Sequence, residues 1–284
     1  MKKHFLKNIL ISAFFIAFTG VLLCYFAALK ITSRRNSAVA SHSFSHGETE
    51  LAVRAEDGLT LYASYLKGDS SKAVILLAGI GANRSSLIER GLFYREKGFH
   101  VIMPDLRATG KSQGDIISFG WFETKDLQTW IKYLNSKGIN NVGVHGVSLG
   151  AATIVYSLKD NPVYSFMVLE SCYNNIDQTF QNRIDKYHLS ADLFFLVRFF
   201  VEKRIGVKTE DLYPENYIHM AKCPILFLAG DSEQQVRVEE TQKLFANSRS
   251  PYKKLHFFKG GKHIDFMKRY GAEYVNELNS FLRK

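Results

Sequence analysis

"NVGVHGVSLGAA", residues 141–152, sets a single serine between glycines where a β-rich run meets a small-residue segment. Val142 to His145 reads as a buried strand, and Ala151 to Leu158 reads as a helix. Gly146-Val147-Ser148-Leu149-Gly150 fits G-x-S-x-G. A serine on so sharp a strand-to-helix turn adopts strained backbone angles, and the residues two positions away must lack bulk for the turn to close. The helix start that follows favours negative charge developing beside the hydroxyl. The same five residues also fit a serine that merely caps a helix. The rest of the chain has to decide between a nucleophile and a cap.

Working outward, strands and helices alternate. "ELAVRAEDGLTLYASYL" gives two alternating β runs joined at Asp57-Gly58, a hairpin signal. "AVILLA" (73–78), "HVIMPD" (100–105), "SFMVLE" (165–170), "PILFLAG" (224–230) and "KKLHFF" (253–258) read as strands. Helical stretches run from Leu87 to Lys97 and from about Trp121 to Ser136. This rhythm predicts an α/β fold with a mostly parallel sheet, whose active site lies at the carboxyl ends of the strands.

A nucleophilic serine needs a base and an acid that orients it, arriving later in the chain in the order serine, acid, histidine. His263 follows the last strand, in the glycine-containing loop "KGGKHIDF". The other eight histidines fall in the tail, in strands or in an insertion: His4, His42, His46, His100, His145, His188, His219 and His256. The acid should follow "PILFLAG", where both Asp231 and Glu233 stand. Two backbone N–H groups should meet the oxyanion. Leu149, just after the serine, supplies one, and Ile80 in the loop Gly79-Ile80-Gly81 supplies the other.

The N-terminus has a different character. Ile9 to Leu29 carries no charged residue, and as a helix it spans about 30 Å, the thickness of a hydrocarbon core. Lys2, Lys3 and Lys7 precede it; Lys30, Arg34 and Arg35 follow. It reads as a single-pass anchor with the body exported. A cleaved signal peptide, leaving a secreted or periplasmic protein, is the competing reading. The run is long for that, and no small-x-small site closes it. The expected division is 1–30 anchor, 31–47 linker and 48–284 catalytic domain. The chain of 284 residues has a net charge of +10, of which the first fifty residues supply four through six Lys/Arg against two acids. No Arg-rich stripe is interleaved with aromatics, so no nucleic-acid partner is expected. The three cysteines form no disulfide framework, no Cys/His cluster suggests a metal, and no cofactor is expected.

One segment breaks the rhythm. From about 173 to 220 no strand signal occurs, and "ADLFFLVRFFVEKRIG" (191–206) is strongly apolar yet interrupted by Arg198. It is expected to be a helical cap insertion. Its apolar run serves either ordinary helix packing or as a lid lining a pocket for a greasy group.

With these motifs in order, the chain resembles the α/β-hydrolase superfamily, specifically serine hydrolases of the bacterial and BEM46-like type. The resemblance covers roughly Leu51 to Leu282. It rests on "DGLTL", "LLAGIGANRSS", "VIMPDLRATGKSQG", "GVSLGAA", "GDSEQQV" and "GGKHIDF". It implies an eight-stranded sheet with a helical cap and a Ser-acid-His triad. Ser148 would then be the nucleophile and His263 the base. The family's acid commonly stands three residues after the strand-end glycine, which selects Glu233 over Asp231. The family's His-Gly before the oxyanion loop reads Ala78-Gly79 here, and Ala108 replaces a usual glycine; Asp105 and Arg107 are expected to be structural. The implied activity is cleavage of a carboxylic ester or thioester in a small-molecule acyl substrate, a lipid among the candidates, through an acyl-enzyme, as in carboxylesterases and lipases. A peptidase or acyltransferase on the same machinery is the alternative, as is a non-catalytic, membrane-tethered binding protein. A dinucleotide-binding reading of "AVILLAGIGANR" with Asp105 is weaker, because Arg84 occupies the third glycine position.

Overall fold

A computed structural model describes residues 2–35, 46–187, 192–263 and 265–283. Residues 36–45 of the expected linker and 188–191 of the expected insertion lie outside them. The chain opens with α1 (Lys2–Thr32), whose first two-thirds expose apolar side chains such as Phe5, Phe14, Ile16 and Leu23. By length and composition it is sufficient to cross a membrane. It does not end in a free linker. Ile117 N–H donates to Thr32, Arg34 N–H donates to Asp115, and Arg35 N–H donates to Ala108, so Thr32, Arg34 and Arg35 are bonded to the body that follows.

β1 (Thr49–Arg54) and β2 (Thr60–Leu66) form the expected antiparallel hairpin across residues 55–59. The chain then runs through β3 (Lys72–Leu77), α2 (Ile88–Glu96), β4 (His100–Pro104), α3 (Glu123–Ser136), β5 (Asn141–Val147), α4 (Leu149–Ser157) and β6 (Met167–Glu170). The insertion contributes α5 (Ile176–Tyr187), α6 (Asp192–Ile205) and three short 3-10 turns before β7 (Ile225–Gly230). α7 (Val238–Asn247), β8 (Lys253–Phe258) and α8 (Phe266–Leu282) complete it.

The eight strands order as β1-β2-β4-β3-β5-β6-β7-β8, and all pairs from β4 to β8 are parallel. Strands buried on both faces read as continuous apolar runs, as "AVILLA" and "PILFLAG" do. Alternate side chains serve opposite faces: Ile75 and Leu77 join the core under α3 and α4, while Val74 and Leu76 join the one under α2 and α8. From β3 the chain winds outward to β4 and then returns to β5 on the other side. The winding reverses between β3 and β5, and such a reversal leaves a crevice beyond the carboxyl ends of the two strands. The Gly79-Gly81 loop leaves β3 there, and Ser148 leaves β5.

The apolar run of α6 has a use different from a pocket lining. α6 packs against α1, with the Tyr25 and Phe200 rings meeting edge-on at 5.5 Å. Arg198, the charge that interrupts the run, pairs with Asp177, Glu202 and Glu210, tying α6 to the rest of the insertion.

Candidate active site

Ser148 sits at φ 52°, ψ −109°, a left-handed conformation that costs a non-glycine residue on the order of 1–3 kcal/mol. The surroundings hold it there: its N–H donates to Glu170 O at 2.8 Å, and α4 begins at the next residue. The flanking glycines are a steric necessity. A Cβ on Gly146 would lie 2.4 Å from the Gly150 carbonyl carbon, and one on Gly150 would lie 2.3 Å from Leu77 O. Only bare backbone lets β5, the turn and α4 close against β3. The Ser148 side chain makes no capping bond to α4, so the serine is not a conventional helix cap.

The acid and the histidine come together on adjacent loops. β7 and β8 end side by side, and Gly230 approaches the Gly261 backbone so closely that a Cβ would lie 2.2 Å from its carbonyl oxygen. Glu233 is buried and accepts from Gly230 N–H at 3.0 Å and from Ser171 Oγ at 2.5 Å. Its second oxygen stands 2.9 Å from His263 Nδ1. A carboxylate so placed keeps the proton on Nδ1 and leaves Nε2 as the free lone pair. Asp231 does something else. It is exposed, and it accepts from Gly260 N–H at 2.6 Å and Ser232 Oγ at 2.8 Å, bracing the loop that carries His263.

Ser148 and His263 both line a cavity of about 320 Å³, together with Ile80, Ser171 and Arg183. Ser148 also lines a second, more apolar cavity of about 410 Å³ with Ile80, Leu149, Phe119, Phe180 and Val236. Here the insertion contributes through α5, not through the apolar run of α6. Leu149 is the first residue of α4, where a backbone N–H has no partner within the helix, and the Ile80 N–H makes no backbone bond among the described residues. Ile80 and Leu149 thus flank Ser148 with two amides in reserve.

A buried polar network lies beneath the site. Arg90 donates to both oxygens of Glu170, at 2.8 and 2.9 Å, and to Asp265 at 2.9 Å, two residues beyond His263. His145 Nε2 lies 2.5 Å from Glu170, and Tyr94 Oη lies 3.1 Å from His145 Nδ1. Burial lowers the His145 pKa, while the Glu170 carboxylate facing Nε2 works in the opposite direction. Burial alone would raise Glu170, but Arg90 and His145 outweigh it and hold the carboxyl well below its usual range. Asp105 and Arg107 are structural, as expected: Asp105 accepts from Arg84 and Lys111 N–H, and Arg107 pairs with Asp126 and Asp57. Among the described residues no group of His, Cys, Asp or Glu is arranged to hold a metal.

Residues 66–267 match the acyl transferase family. The chain belongs to that family. Among relatives, this family member is 26% identical to the protein bem46 of Schizosaccharomyces pombe over 92% of its own length and 84% of the relative's. It is 23% identical to an acyl transferase of Vibrio campbellii over 68% of each chain. Among solved structures it superposes on an esterase of Pyrococcus furiosus with a TM-score of 0.74 and 23% identity, covering 88% of this chain and 97% of that one. The fold is therefore that of the α/β hydrolases, and the chemistry of the family is that of acyl groups.

Sequence reasoning missed three contributors to the site. Ser171, at φ 46° after β6, bonds the acid but sits in an otherwise ordinary strand end. Arg183 and Arg35 line the apolar cavity, one from the insertion and one from the segment read as linker. The strong basicity after the apolar run was the only signal for Arg35.

Proposed function

We propose that this protein is a membrane-anchored serine enzyme that cleaves carboxylic esters or thioesters by way of an acyl-enzyme. The observation that carries the reading is the 2.9 Å contact between His263 Nδ1 and Glu233, on loops that share a cavity with the strained Ser148. Ser148 Oγ attacks the acyl carbon as its proton passes to His263 Nε2. The Ile80 and Leu149 N–H groups stabilise the resulting oxyanion, a contribution of about 3–4 kcal/mol per donor in comparable sites. The intermediate collapses, the carbon–oxygen or carbon–sulfur bond to the leaving group breaks, and that group takes the proton from His263. Glu233 fixes the imidazole and stabilises its charged form. Water activated by the same histidine then releases the acid. An alcohol or thiol in place of water would make the product an acyl transfer, a second reading that family membership favours.

α1 supports an uncleaved anchor. Cys24, Ala28 and Thr32 are buried against the body, and residues 33–35 are bonded to it, so removal of this segment would strip packing from the folded domain. The test is fluorophosphonate labelling of the full-length protein in detergent. Ser148 is the expected site of modification, and Ser148→Ala should abolish it. Unchanged labelling of that variant would refute the assignment.

A further inference from the structure

The membrane helix is part of the wall of the candidate active site. Cys24, Ala28 and Thr32 recur every four residues, so they form one buried stripe on α1, and the stripe is met by α6. The chain is then clamped. Arg34 donates to the carbonyls of Ser112 at 2.7 Å, Gly110 at 2.8 Å and Gly114 at 3.0 Å, and Arg35 N–H donates to Ala108 O at 2.9 Å. This fixation delivers Ile31 and Arg35 to the rim of the cavity that holds Ser148. The contacts Tyr25–Phe200 and Ser33–Arg204 fall in the same order along both helices, so the N-terminal half of α6 extends toward the bilayer side of α1. That half exposes Phe195, 72% accessible, and Phe199, one turn apart on one face, with Lys203 over the Phe199 ring. Exposed aromatics beside a lysine that can reach headgroups suit a helix lying against a lipid surface.

The cavity itself combines apolar walls, from Ile31, Phe119, Phe180 and Val236, with two arginines, Arg35 and Arg183, and no acid among the described residues lines it. Other arginines near the site have carboxylates: Arg90 has Glu170 and Asp265, and Arg107 has Asp126 and Asp57. Among the described residues the Arg183 guanidinium hydrogen-bonds neutral groups, Thr179 O at 2.8 Å and Gln235 Oε1 at 3.1 Å. The Arg35 guanidinium has no carboxylate partner among the described residues. Burial lowers the Arg183 pKa, and the attraction of Tyr173 and of the Glu240 carboxylate offsets it only in part. Two arginines without a carboxylate in ion-pair contact among the described residues, at an apolar cavity, suit an anion, and the planar fork of arginine suits phosphate or carboxylate.

We infer that the substrate is an anionic acyl lipid drawn from the bilayer, its chain entering beside α1 and its charged headgroup held between Arg35 and Arg183. The inference rests on the serine acyl-transfer reading above and adds the substrate class. The test uses the full-length protein in phosphatidylcholine vesicles carrying a few per cent of either oleoyl-glycerol phosphate or oleoyl-glycerol, with oleate release followed by mass spectrometry. The phosphate-bearing lipid should be favoured in kcat/KM by at least tenfold. Arg35→Gln and Arg183→Gln should each cut that preference about tenfold through KM, the loss of one charge-assisted partner, and Arg35→Lys should retain most of it. Butyryl-glycerol phosphate in solution separates the sources of the anion: turnover equal to that of the bilayer lipid would overturn the membrane part. If Ser148 labels with fluorophosphonate and no preference for the anionic lipid exists, the inference falls and the serine reading stands. If Ser148 does not label, both fall.

Discussion

Exchanging one carboxylate for an amide at two neighbouring positions separates the acid from the brace. Glu233 is buried with all its partners specified: Gly230 N–H and Ser171 Oγ on one oxygen, His263 Nδ1 on the other. In Glu233→Gln the amide oxygen keeps the first two donors, so its NH₂ is forced to face Nδ1. That nitrogen must then accept, its proton moves to Nε2, and the ring presents a donor to Ser148 where the chemistry needs a base. The imidazolium formed during acylation also loses its counter-charge. A wrong tautomer of this kind costs on the order of 10⁴ in kcat in a serine protease, and each decade is about 1.4 kcal/mol of barrier. We expect Glu233→Gln to lose 10³- to 10⁴-fold, about 4–5.5 kcal/mol. Asp231 faces solvent and only accepts from Gly260 N–H and Ser232 Oγ. Asn keeps an accepting oxygen, so Asp231→Asn should stay within about threefold, the scale of a lost surface charge. The assay is kcat/KM on a soluble nitrophenyl ester, with circular dichroism and the thermal midpoint as controls for folding. A crippled Asp231→Asn beside an active Glu233→Gln would refute the assignment and the tautomer argument with it.

Two further outcomes follow from the same geometry. Gly150→Ala places a Cβ 2.3 Å from Leu77 O, so α4 must retreat from β3 and carry Ser148 with it. It should lose about 1–3 kcal/mol of stability and slow fluorophosphonate labelling at least tenfold, and a variant that labels at the normal rate would show that the elbow tolerates the shift. His145 and Glu170 both have lowered pKa values in the fold, from reference values of 6.5 and 4.5. At these two sites the unfolded chain therefore binds protons more readily, so their contribution to stability is full above about pH 6.5 and falls as the pH drops through 6.5 and again below 4.5. The gap in thermal midpoint between the parent and His145→Gln should narrow from pH 7 to 4.5; a gap that does not change with pH would contradict the burial argument.

The features legible in the sequence are those written in consecutive residues. The elbow is spelled by Gly146, Ser148 and Gly150, and the parallel strands by apolar runs bounded by turns. His263 and the Asp231/Glu233 pair were findable because each follows a strand, and strand ends converge in this class of fold. The choice between the two acids was not spelled by spacing alone. It depends on which side chain turns inward when Gly230 packs on Gly261, a contact between residues about thirty apart. Ser171 and Arg90 escaped notice for a related reason: their roles exist only through Glu233 and Glu170 across the sheet. The apolar stretch 194–201 was ambiguous because a helix that packs on another helix and one that lines a pocket have the same composition. Its partner turned out to be α1, which the sequence places some 170 residues away.

That pairing also changes how the N-terminal segment should be understood. An anchor read from composition is a tether, interchangeable with any other apolar helix. α1 is not interchangeable over its last two turns. Small side chains at Cys24 and Ala28 let it approach α6 closely, and Arg34 satisfies three carbonyls of the loop 110–114 that would otherwise face one another unbonded. That loop includes Lys111, whose N–H donates to Asp105, and Asp105 in turn holds Arg84 N–H at the end of the Gly79–Gly81 segment. A continuous set of hydrogen bonds therefore runs from the end of α1 to the loop that carries Ile80. A swap of residues 4–19 for another apolar sequence should leave ester turnover unchanged, because those side chains are exposed. A swap that extends through Arg35 should lower it, because it removes both a wall of the cavity and a support of the Gly79–Gly81 loop.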